Sequence, residues 1–236
     1  MQTTADRAAL RRILEAKCSS HADRSNFRTG LAALDDVAPG GSFRSGAVHE
    51  LLWKQRSSSP KSVALLLAKA AQSRSGEIVW SDPKCELYLP ALLATGINLR
   101  HLILLRCAAR LDELSAVAEC LQNRGVCATV ATLSKLSLVE ARRLQLAAER
   151  GGGIGLFMRP YCAAINSHYA AATRWLIQPQ SGDDRTQRWS VELLHGHGGR
   201  IGQVVLLEAD RDTRALRISK TLADRQTTPT PARVSA

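Results

Sequence analysis

The residues in this chain whose types and spacing come nearest to chemistry are Gln55-Arg56-Ser57-Ser58-Ser59-Pro60-Lys61-Ser62. A phosphate loop reads G-x-x-x-x-G-K-[ST]: its glycines let backbone N–H groups close around phosphate, the Lys reaches the terminal phosphates, and the hydroxyl meets Mg²⁺. Only Lys61 and Ser62 keep that pattern, because Gln55 and Pro60 stand where the two glycines belong. Proline is the more damaging replacement, since it has no N–H to offer a phosphate and fixes its own φ near about −65°. Ser57, Ser58 and Ser59 still supply hydroxyls and N–H groups, and Lys54, Arg56 and Lys61 add positive charge. Weak anion binding at a helix N-terminus therefore stands beside the plainer alternative of a polar loop without a ligand. Ser57, Ser58, Ser59, Lys61 and Ser62 are the expected remains of a nucleotide site that holds no cofactor, with weak ATP binding as the alternative.

A magnesium nucleotide also needs an acid to anchor its metal, at the end of an apolar strand. The strand that would supply it, Val126 to Thr132, closes on Ala131 and Thr132. Asp82, after Ile78-Val79-Trp80, is the acid nearest a second catalytic position and reads as a solvent-facing loop residue. Glu50, just ahead of the loop, reads as a strand-end charge. The run Gly151-Gly152-Gly153-Ile154-Gly155 follows a helix and precedes a strand, the reverse of phosphate-binding order, so it reads as a helix C-cap. His195, His197 and Cys162 match no ligand spacing and read as a polar strand-end turn, so no metal is expected. The six cysteines form no C-x-x-C pair and read as buried small hydrophobes.

The elements that must position the loop are legible around it. Ala47 to Leu52 makes a strand before it and Val63 to Gln72 an Ala/Leu-rich helix after it, the order strand, loop, helix that a phosphate loop requires. Strands at Ile78–Trp80, Leu102–Leu105, Val126–Ala131 and Ile154–Met158 then alternate with helices at about 85–94, 112–122 and 138–150, which implies parallel pairing in a doubly wound sheet. Beyond Pro160, strand-like runs at Thr173–Ile177, Arg188–Leu194, Val204–Glu208 and Ala215–Ile218 are joined by short turns and suit hairpins extending one sheet edge. Ahead of the core, Leu10, Ile13, Leu14 and Cys18 mark a short amphipathic helix that could dock on this domain or on a neighbour.

The expected division is 1–26 as helix and linker, 27–225 as one α/β domain, and 226–236 as a Thr/Pro-rich disordered tail. The chain has 236 residues, 45% hydrophobic and 22% charged, and no apolar run approaches the roughly 18 residues of a membrane span. The start lacks a basic, then apolar, secretory leader, so a cytoplasmic location is expected. A net charge of +11 suits a polyanionic or acidic partner, or serves solubility alone. Aromatic residues make up only 4%, too few for a base-stacking platform. Arg211, Arg214, Arg217, Lys220 and Arg225 are the candidate contact for DNA or a partner, with a solvated face as the alternative.

Several segments resemble one family. Phe27-Arg28-Thr29-Gly30-Leu31-Ala32-Ala33-Leu34-Asp35, Gly40-Gly41 and Arg44 to Leu52 look like the entry to a RecA-like core in the version found in ImuA proteins. Ala141 to Glu149, Ala171 to Trp175 and Leu222 to Arg225 are similar to further ImuA segments, in the same order, across residues 27 to 225. The resemblance implies a RecA-like α/β fold and an accessory role in error-prone translesion synthesis during the bacterial DNA-damage (SOS) response. It implies as partners an ImuB-like inactive Y-family polymerase homologue and an error-prone replicative-type DNA polymerase. DNA, RecA and a second copy of the chain are further candidate partners. A non-catalytic adaptor is expected; a DNA-dependent ATPase and a plain DNA-binding module are the alternatives.

Overall fold

A computed structural model describes residues 2–17, 25–54, 60–72, 76–107, 109–164, 170–210 and 216–222. In chain order the elements are α1 (Gln2–Lys17), α2 (Ala32–Val37), a 3₁₀ turn at Pro39–Gly41, β1 (Val48–Trp53), α3 (Lys61–Gln72), β2 (Glu77–Ser81) and α4 (Leu89–Ala94). A second 3₁₀ turn, Leu99–His101, leads to β3 (Leu102–Leu105), α5 (Arg110–Gln122), β4 (Val126–Thr132), α6 (Leu138–Gly151), β5 (Ile154–Pro160) and α7 (Tyr161–Ala164). Four strands close the order: β6 (Thr173–Gln180), β7 (Thr186–Gly196), β8 (Val204–Asp210) and β9 (Leu216–Leu222).

Among the described residues these strands make one nine-stranded sheet in the order β3-β2-β4-β5-β1-β6-β7-β8-β9. Pairing is parallel from β3 through β6 and antiparallel from β6 to β9. The fold is thus the RecA-like α/β class expected, with hairpins on one edge. Strands β1, β2, β4 and β5 are buried along nearly their whole length and are mostly apolar, because helices cover both faces.

Among the described residues two large apolar cores result, with a small third cluster at Leu52, Ala164 and Leu176. On one face α3 buries Val63, Ala64, Leu67 and Ala68 against Leu51, Ile78, Val130 and Met158, and the same cluster continues under the antiparallel strands through Trp175 and Trp189. On the other, α5 and α6 pack Val117, Leu121, Leu144 and Ala148 over Val48, Val79, Ala131 and Phe157. The first helix docks on this second layer: Leu10 and Leu14 are buried, and Arg11 spans to Glu119 of α5 with Nε 2.6 Å and Nη2 3.0 Å from the carboxylate oxygens. Of the two docking options for α1, the structure has the one on its own domain.

The glycine run caps α6 as expected. Gly152 has φ 86° and donates its N–H to the Ala148 carbonyl. Gly151 and Gly153 serve close packing, since a Cβ on either would stand 1.8 Å from the Leu121 oxygen or 2.2 Å from the Val126 oxygen.

Three local readings are corrected. The fourth helix starts at Leu89 with Pro90 in its first turn, not near Cys85, because Cys85 has φ 54° and the Asp82 carboxylate takes the N–H groups of Glu86 and Leu87. Asp82 is therefore buried and not solvent-facing. Cys120 and Cys127 are buried, whereas Cys85 and Cys162 are exposed and Cys107 is half-buried. Cys18 and the tail from residue 223 lie outside the described residues, as do the reading of that tail as disordered and the linker at 18–24.

Candidate functional site

The strand β1 enters the centre of the sheet between β5 and β6, and the loop after it leads into α3. Ser57, Ser58 and Ser59 lie outside the described residues, together with Gln55 and Arg56. Pro60 is buried at the junction, and its carbonyl accepts the N–H of Ala64 at 2.9 Å, so the proline stands just ahead of the first turn of α3. Lys61 and Ser62 are half-buried in that turn.

The two described cations beside the loop, Lys61 and Lys54, diverge. Lys61 Nζ lies 3.4 Å from Glu86 Oε2 in the segment after β2. Lys54, at the other end of the loop, places its Nζ 4.9 Å from the centre of the Tyr161 ring on α7, a cation–π contact on the opposite face of the sheet. The acid that meets Lys61 is itself positioned: buried Asp82 fixes the backbone of Glu86 and Leu87 at 2.9 and 3.1 Å. A nucleotide phosphate reaching Lys61 would compete with a carboxylate already there. At the end of β4 the chain presents buried Ala131 and exposed Thr132, with no carboxylate at that place.

A second ionic group, buried beneath this end of the sheet, was not singled out by motif. Glu50 on β1 accepts from Arg159 Nη1 of β5 at 2.5 Å and from Arg174 Nε of β6 at 2.7 Å. All three side chains are buried, so Glu50 is a core ion-pair partner and not a strand-end charge. On this face Glu50 lies between Val48, in the α5/α6 core, and Leu52, which packs with Ala164 and Leu176. The signal available in the sequence was three charges within or at the end of apolar strand runs; the parallel pairing of β6 with β1, which brings Arg174 to Glu50, was not expected, since that run read as part of an edge hairpin.

Next to it, His49 is wholly buried. Trp175 Nε1 donates to Thr173 Oγ1 at 2.7 Å, the Thr173 hydroxyl reaches His49 Nδ1 at 2.7 Å, and His49 Nε2 meets the Arg44 carbonyl at 2.9 Å. A carbonyl only accepts, so Nε2 carries a proton toward Arg44, and the neutral ring accepts the Thr173 hydroxyl's hydrogen bond at Nδ1. Burial pushes its pKa down to about 4.

The segment Phe27 to Asp35 performs structural work. The Asp35 carboxylate accepts from Thr29 N and Oγ1 at 2.8 Å each and from Gly30 N at 3.2 Å, pinning a turn in which Gly30 has φ 83°. Phe27 bridges and stacks on Phe43, which stacks on Trp175. These residues roof the α3-side core at the start of β1.

The basic candidates separate as well. Arg217 on β9 is exposed, and its Nη2 lies 3.0 Å from Glu208 of β8. Lys220 stands opposite Leu206 in the same strand pair, and Arg211, Arg214 and Arg225 lie outside the described residues. His195 is opposite Arg174 in the β6–β7 ladder; burial, then Arg174 and His197, hold its pKa below the ordinary value. Among the described residues, no three His, Cys, Asp or Glu side chains gather as a metal site would require, and no helix is long and apolar enough to cross a membrane.

Comparison with models of protein families finds no match. Comparison with curated proteins finds Protein ImuA of Caulobacter vibrioides, in strains NA1000 / CB15N and ATCC 19089 / CIP 103742 / CB 15. Each is 33% identical over 217 residues, covering 83% of this chain and 89% of the relative. The chain belongs to the ImuA family. The RecA-like order of elements and the Phe27–Asp35 roof are thus features of an ImuA-family chain.

Proposed function

We propose that this ImuA-family chain is an accessory adaptor for error-prone translesion synthesis in the bacterial DNA-damage response, acting by protein contact and not by nucleotide hydrolysis. Its partners are an ImuB-like inactive Y-family polymerase homologue and an error-prone replicative-type DNA polymerase. The observation that carries this reading is the state of Lys61: the one basic side chain left from a phosphate loop follows a buried proline and faces the Glu86 carboxylate. The α3 N-terminus retains N–H groups that suit an anion, but the junction residue lacks one. A scaffold that works through its surface keeps its core while losing phosphate-loop glycines and a magnesium-binding acid.

The test is co-purification of the full chain with both polymerase components, beside an ATPase assay on wild type and Lys61→Ala with and without single-stranded DNA. The expected result is a retained complex and turnover that Lys61→Ala does not change. DNA-stimulated turnover abolished by Lys61→Ala would establish the ATPase alternative, and a folded chain that retains neither partner would remove the adaptor.

A further inference from the structure

Helix α6 turns one side to the protein and leaves the other uncovered. Its inward residues Ala141, Leu144, Ala147 and Ala148 are buried against the sheet and α5, as an amphipathic surface helix requires. Its outward side should be polar, yet Leu138 is 53% and Val139 77% exposed, side by side in the first turn. Leu146 follows two turns later. These three aliphatic side chains and Arg142, Arg143 and Arg150 line one groove of about 500 Å³ along α6 and the end of α5. Single exposed apolar residues are ordinary, but three sharing a groove with three arginines are the composition of a contact surface.

The charge pattern identifies the occupant. Arg11, Arg110, Arg159, Arg174, Arg188 and Arg217 each meet a carboxylate. Arg142 and Arg143 meet none among the described residues, as is also true of surface arginines such as Arg12, Arg124 and Arg200; what sets these two apart is their place in the middle of the apolar stripe. We infer that this groove docks an acidic amphipathic helix of a partner protein, its apolar face on Leu138, Val139 and Leu146 and its carboxylates on the flanking arginines. A 14-residue helix is about 21 Å long, so the matching segment is about four turns.

Other occupants fit less well. The chain's own α1 carries four basic side chains against two acidic and is already seated on α5, and the sequence after residue 222 carries two arginines against one aspartate. A second copy, at net +11, would bring like charge to the groove. A nucleic-acid backbone would satisfy the arginines while pressing phosphates on Val139 and Leu138, which offer them nothing. The inference stands on α6 alone, independent of the adaptor reading.

The experiment uses the full chain and a fluorescein-labelled synthetic helix of about 16 residues, with leucines at i, i+3, i+4 and i+7 spacing and glutamates elsewhere. Companion probes replace every Glu by Lys, or every Leu by Ser, and a labelled oligo-dT serves as the nucleic-acid probe. Anisotropy titrations should show the Glu/Leu helix binding at least tenfold tighter than either companion. Arg142→Glu with Arg143→Glu, and separately Val139→Asp, should each weaken it at least tenfold while leaving the thermal unfolding of these exposed positions unchanged. Equal binding of the Glu and Lys probes, or binding that neither variant weakens, overturns the inference. So does oligo-dT that displaces the helix and loses its own affinity in the arginine variant, since that assigns the face to nucleic acid.

Discussion

Two ionic groups flank the loop that follows β1, and they differ in almost every physical respect. Lys61 and Glu86 are 3.4 Å apart with side chains 38% and 58% exposed, whereas Glu50, Arg159 and Arg174 are within 2.5–2.7 Å and buried. The first group lies on a recognisable motif and the second on none. In water a pair such as Lys61–Glu86 contributes about 0–1 kcal/mol, because solvent screens the charges and long side chains resist being held. In the interior, removal of one member strands a charge that water no longer solvates, at a cost several times larger. The pair on the motif is therefore a solvent-screened one, and the buried charges tie the three central strands together.

The sharpest way to break this comparison is Glu50→Gln. It leaves two buried arginines without their shared carboxylate, and the expected loss is about 3–5 kcal/mol of unfolding free energy, read from urea midpoints. Replacing all three residues by apolar side chains of similar size should recover most of that loss. A Glu50→Gln protein within about 1 kcal/mol of wild type would mean the triad is no stronger than a surface pair.

His49 tests the same interior by pH. The native ring stays neutral until pH about 4, while the unfolded chain takes up its proton at the ordinary value near 6.5. The unfolded state thus binds more protons between those values. The stabilising difference is fully present above about pH 6.5, shrinks as pH falls, and is lost by pH 4, an effect of about 3 kcal/mol. Denaturant midpoints of wild type and His49→Gln at pH 7, 5.5 and 4 should converge by that amount on acidification. Parallel curves for the two proteins would show that His49 is not the titrating group.

What the sequence disclosed follows the same division between local and distant. The strands and the longer helices α3, α5 and α6 were legible because buried strands and amphipathic helices leave periodic apolar patterns within a few residues, whereas the short helices α4 and α7 leave too few residues to do so. Glu50 was misread because its partners are 109 and 124 residues away, and a carboxylate in an apolar strand looks like an end charge until the neighbouring strands are known. Asp82 was misread for a related reason: its work is to accept two N–H groups of a loop, which a helical reading from Cys85 had already assigned elsewhere. The outward side of α6 was legible in principle, since Val139, Arg142, Arg143, Leu146 and Arg150 share one helical face. It was passed over because scattered arginines in a basic chain resemble solubility charge.

The smallest effect expected is at the loop itself. A double-mutant cycle on Lys61→Ala and Glu86→Ala should give a coupling energy below about 1 kcal/mol, since both side chains are more than a third exposed. Coupling above about 2 kcal/mol would erase the contrast with the buried triad and make the loop a stabilised site in its own right. The same variants sharpen the question of nucleotide. Glu86 competes for Lys61, so Glu86→Gln should tighten binding of a fluorescent ATP analogue if Lys61 still serves as a ligand, and Lys61→Ala should abolish the gain. The adaptor reading expects neither change, because Pro60 removes an N–H that no side-chain substitution at 61 or 86 restores.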